Sequence, residues 1–104
     1  MTTKLNPQTE ASFKKLSEDK IRIAMTGLRG QSVASYGGHN SLADDWYEVQ
    51  IICSLIADKV FTPMERIAYI REMAGRLNMD AASGIFLFND TMRVKGYSTR
   101  VIGS

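Results

Sequence analysis

Apolar side chains recur at helical spacing along almost the whole chain. Phe13, Leu16, Lys20, Ile23 and Ala24 fall near one face of a segment that opens at Asn6-Pro7, an N-cap residue followed by a proline suited to the first helical position. The stem of Lys20 can cover apolar surface while its ammonium stays in water, so this stripe is expected to face the core. Ser17-Glu18-Asp19 is a second start signal, and the region reads either as one helix to about Met25 or as two meeting near Ser17. Gly27 and Gly30 end it in both cases. Residues 31–40 follow as a loop rich in Ser, Gly and Asn, with Tyr36 and His39 inside it.

The next helix is expected to start at a Ser41 cap, with Asp44 three residues on. Leu42, Trp46, Val49, Ile52, Cys53, Ile56 and Val60 then keep helical spacing, while Tyr47, Ile51, Leu55 and Ala57 extend the apolar surface around the girth. A helix apolar on most sides is central to its domain or lies at a dimer interface. Thr62-Pro63-Met64-Glu65 is a full start signal, and Ile67, Ile70, Met73, Ala74 and Leu77 form the stripe behind it. Asn78 suits the left-handed turn that ends this helix, and Asp80 can cap another through Ala81, Ala82 and Ser83. Ile85-Phe86-Leu87-Phe88 is too short a run for its pattern to separate strand from helix. Helix to about Asn89 is expected, then irregular structure or a small hairpin through Thr91–Lys95.

The fold class is therefore mainly α: a small bundle of about four helices in a single domain spanning 1–104, with a flexible N-terminus (1–5), loop (31–40) and C-terminal tail (96–104). The length of 104 residues, 44% of them apolar, agrees with one core and leaves no room for a cleft between two domains. No apolar leader follows Met1, and Val49–Phe61 is too short and too polar to span a bilayer, so a cytoplasmic protein is expected. A lone cysteine, Cys53, fits the same compartment.

Net charge is a small +2, but its distribution is uneven. Residues 1–30 carry six basic and three acidic side chains, 31–65 one and five, and 66–104 six and three. Basic flanks around an acidic middle suggest association surfaces that could complement each other.

Catalytic chemistry finds little support. His39, Asp44, Asp45 and Glu48 are the one cluster with metal-like side chains, yet they lack the nitrogen and sulfur ligands of a zinc site and the alternating oxygens of a calcium loop. Acids in a first helical turn are favoured by the macrodipole alone. Cys53 sits among Ile51, Ile52, Leu55 and Ile56 and reads as an inert core thiol. Gly27-Leu28-Arg29-Gly30 has neither the spacing nor the lysine of a phosphate loop. No metal, cofactor or small-molecule substrate is expected.

Residues 70–88 resemble a helix-turn-helix: Ala74 on the first helix, the turn at Asn78, Met79, the cap Asp80, then Ala81-Ala82-Ser83. The pattern departs at Gly84, where such regulators carry a branched apolar residue. The resemblance implies a DNA-binding regulator using the basic residues of 66–100. Against it, the start of the second helix offers no Arg, Lys, Asn or Gln for base edges. The preferred expectation is a non-enzymatic protein-interaction module, a regulator, inhibitor or adaptor acting as a homodimer. The residues expected to meet a partner, protein or nucleic acid, are Arg66, Arg71, Arg76, Arg93, Lys95, Arg100, Tyr36 and Tyr97.

Overall fold

The computed structural model describes residues 6–30 and 40–102, with only the backbone of 40–43. Four helices account for most of these residues: α1 (Pro7–Met25), α2 (Asn40–Lys59), α3 (Pro63–Arg76) and α4 (Ala81–Lys95). They form a small helical bundle in which α1 packs on α2 and α3 on α4. No helix among the described residues is long and apolar enough to cross a membrane.

Local chemistry sets most of the boundaries. The Asn6 side chain accepts from the Thr9 N–H at 2.8 Å, and Pro7 follows it at the first helical position. α1 is one helix: Ser17 lies inside it, and its hydroxyl donates to the Phe13 carbonyl at 2.9 Å rather than capping a new start. α2 begins at Asn40, one residue before the expected cap, so Ser41 is already helical. Thr62 accepts from the Glu65 N–H at 3.3 Å, and Asp80 from the Ser83 N–H at 3.0 Å. Asn78 has φ of 60°, the left-handed turn between α3 and α4.

α4 runs past Asn89 to Lys95 and ends at Gly96, so residues 91–95 form neither a strand nor a hairpin. Phe88 and Met92, four apart, are both fully buried. The apparent alternation after Asn89 is too short to outweigh that pair. The tail is irregular, and Asn89 holds it. Its amide donates to the Val101 carbonyl and accepts from the Val101 N–H, both at 2.8 Å.

The core is built from Ile21 and Met25 of α1, Val49, Ile52 and Ile56 of α2, Ile70 and Met73 of α3, and Phe88 and Met92 of α4. This overturns the expected inner face of α1. Phe13, Leu16 and Ile23 are 55, 57 and 68% exposed. At 100° per residue their stripe lies roughly 140° around the helix from Ile21 and Met25.

Two close approaches hold the bundle together, one within the α3–α4 pair and one between the pairs. Gly84 of α4 lies against Ala74 of α3, where an added Cβ would come 2.6 Å from the alanine methyl. The glycine that breaks the helix-turn-helix pattern is therefore what lets these helices meet. The second meeting point is Gly30, at φ of 58°, whose carbonyl accepts from the Asn78 amide. Beside it the fully buried Asp45 carboxylate accepts from the Arg29 N–H at 2.8 Å and the Gly30 N–H at 3.4 Å. This carboxylate satisfies backbone donors just past the end of α1, which would otherwise lack partners.

Candidate functional site

The basic side chains expected to meet a partner do not form one patch. Arg66, Arg71 and Arg76 are five apart on α3, so each points about 140° from the next. Arg66 is committed internally, its Nε donating to the Val60 carbonyl at 2.6 Å across the α2–α3 joint. Arg71, Arg76 and Lys95 are exposed. Arg93 pairs with Asp90 at 2.8 Å, one turn back on α4. Arg100 donates to the carbonyls of Tyr97 and Thr99, each at 2.7 Å. Tyr97 is half-buried against the core, its hydroxyl 3.4 Å from the Asp58 carboxylate. Tyr36, like His39, lies outside the described residues.

The surface that stands out is apolar and belongs to the first hairpin. Besides Phe13, Leu16 and Ile23, α2 exposes Tyr47 by 78% and Ile51 by 53%, with Leu55 half-buried beside them. The two helices are antiparallel. Gly27, just past α1, meets the Glu48 side chain near the middle of α2, and Phe13 shares a groove with Lys59, Val60 and Phe61 at its end. Lys14 and Arg22 of α1 pair with Glu65 and Glu72 of α3, at 3.7 and 3.2 Å. The opposite flank of α1, with Leu16, Lys20 and Ile23, therefore faces away from α3, and Phe13 sits at its edge, beside the groove it shares with Thr62 and Glu65. On α2, Tyr47, Ile51 and Asp58 lie opposite the buried Val49, Ile52 and Ile56. The two stripes thus lie side by side on the outer face of the hairpin.

Sequence reasoning missed this face by assigning the α1 stripe to the core. One signal was present: α2 is apolar around its girth, which suits an interface as well as a central helix.

Two apolar grooves flank the bundle. One, of about 380 Å³, runs between Phe13 and Phe61. The other, of about 440 Å³, lies between the start of α4 and the tail, with Phe86 and Ile102 at its rim.

Reactive chemistry is sparse among the described residues. Cys53 is enclosed, and burial pushes its thiol up to about 12, more than the opposing hydrogen bond with Thr91 lowers it. A thiol held neutral in this way is a poor nucleophile. Asp44 is 3.9 Å from Arg29, and no group of three metal-ligating side chains occurs among the described residues. Asp80 is held below the usual carboxylate range by its hydrogen bonds with Ser83, as an N-cap should be.

No protein-family model matches the chain, and neither does any curated protein or solved structure.

Proposed function

We propose that the protein is a non-enzymatic interaction module, a small cytoplasmic regulator, inhibitor or adaptor that works as a homodimer. The observation that carries this reading is the clustering of Phe13, Leu16, Ile23, Tyr47 and Ile51 on one outward face of the α1–α2 hairpin. Isolated exposed apolar residues are ordinary, but stripes on two adjacent helices leave a coherent surface to be covered.

Charge favours a second copy as the cover. On this face α1 presents Lys20, whereas α2 presents Asp58 and, towards its start, Asp44, all three exposed. A face that sets a basic side chain on one helix beside acidic ones on the next is complementary to itself when turned over. Its footprint, roughly 22 Å long and two helix diameters wide, is at the small end for stable association, so the dimer should depend on concentration.

The DNA-reading alternative has less support. α4 begins with Ala81, Ala82 and Ser83 and exposes Phe86, and of these only the Ser83 hydroxyl can hydrogen-bond a base edge. Its one amide, on Asn89, is engaged by Val101.

Sedimentation velocity over a hundredfold concentration range tests the proposal. The expected result is a monomer converting to a dimer, with Leu16→Asp remaining monomeric and folded. A wild-type monomer throughout overturns it.

A further inference from the structure

Resting on the homodimer reading, we propose that the dimer is isologous, with α1 of each copy lying across α2 of the other and Lys20 paired with the partner's Asp58. Among the described residues, each exposed stripe carries an unpaired charge set with its apolar side chains, Lys20 between Leu16 and Ile23, and Asp58 beyond Leu55. Asp44, at the other end of the α2 stripe, lies 3.9 Å from Arg29. Neither Lys20 nor Asp58 makes an ion pair among the described residues, and the Asp58 carboxylate accepts only from the Tyr97 hydroxyl, at 3.4 Å, among them. Covering the face would remove both charges from water. That is costly unless each meets an opposite charge.

The register within one copy says where that charge must come from. Gly27 lies beside Glu48. Seven residues back along α1 and seven forward along antiparallel α2 bring Lys20 level with Leu55. Asp58 is three residues further, about 4.5 Å along the axis.

Two ways of turning one copy onto another bring these faces together. A two-fold axis running across the helices stacks α1 on α1 and α2 on α2, setting the acidic helices against each other. An axis running along the helices keeps every level unchanged and exchanges the two helices. It places Lys20 over α2 of the other copy at the level of Leu55, within a lysine's reach of Asp58. Symmetry then makes the contact twice. Ile23 comes over Ile51, so apolar side chains meet apolar ones on either side of the charges.

Charge reversal tests this arrangement, with dimer dissociation constants measured by sedimentation equilibrium at low salt and helicity checked by circular dichroism. Lys20→Asp and Asp58→Lys should each weaken the dimer by about tenfold or more, because each places like charges together. The double reversal should recover affinity to within about threefold of wild type, and added salt should weaken the wild type. A wild-type dimer that tolerates either single reversal, or a double reversal that stays weak, overturns the pairing while leaving the homodimer standing. A wild type that is monomeric at every concentration removes both.

Discussion

Replacing Gly84 with alanine tests how closely α3 and α4 are held together. In an open helix the change is favourable by about 1 kcal/mol, since alanine has the better propensity. At Gly84 the new methyl would lie 2.6 Å from the Ala74 Cβ and 3.4 Å from the Ile70 carbonyl oxygen. Carbon atoms in good contact are about 3.5–4.0 Å apart, so α3 and α4 would have to separate by roughly 1 Å at their crossing. Neither obstacle is the end of a flexible side chain, so the overpacking cost should lie near the top of the usual range of about 1–3 kcal/mol. Offset by propensity, a net loss of about 2 kcal/mol remains, on the order of 10 °C in melting temperature for a domain of this size. Gly75 is a matched control because a Cβ there meets nothing within 4 Å. Gly75→Ala should leave stability unchanged or raise it by about 0.5–1 kcal/mol. Both belong in urea titrations at one protein concentration, since dimerisation adds to apparent stability. Adding Ala74→Gly to Gly84→Ala should recover most of the loss. A Gly84→Ala protein as stable as wild type would refute the close crossing.

Two further outcomes follow from buried groups. Asp45→Ala removes the acceptor for the Arg29 and Gly30 N–H groups and should cost about 2–3 kcal/mol in urea denaturation, whereas Asp45→Asn should cost less by keeping one acceptor. Cys53 favours its neutral thiol when folded, so its contribution is present below the unfolded value near 9 and is lost as pH rises towards about 12. Between those values the wild type should lose more stability than Cys53→Ala, and at neutral pH the folded protein should resist a thiol reagent that labels it in urea.

The helix boundaries were legible where a few neighbouring residues decide them. Asn6-Pro7, Thr62-Pro63 and Asp80 each announce a start through a side chain that accepts from an N–H three residues on. Asn78 announces the turn through its tolerance of positive φ. Orientation was harder to read because it depends on residues far apart in sequence. α1 offers two apolar stripes, and only docking on α2 and α3 selects Ile21 and Met25 for the core. Gly84 looked like a defect in a local motif until Ala74 was placed beside it. The basic residues of 66–100 looked like a group because they share a sign and a stretch of chain. In three dimensions they occupy different faces, and Arg66, Arg93 and Arg100 are held by neighbouring groups. The apolar surface was legible only indirectly, through an α2 too hydrophobic for one buried face.

A dilution series followed by NMR, with methyl and aromatic resonances resolved, tests the central claim most directly. Concentration-dependent shifts should be confined to Phe13, Leu16, Ile23, Tyr47, Ile51 and Leu55, while Phe86 and Ile102 stay constant. Spectra that do not change on dilution, or changes centred on Phe86 and Ile102, would contradict self-association through the outer face of α1 and α2.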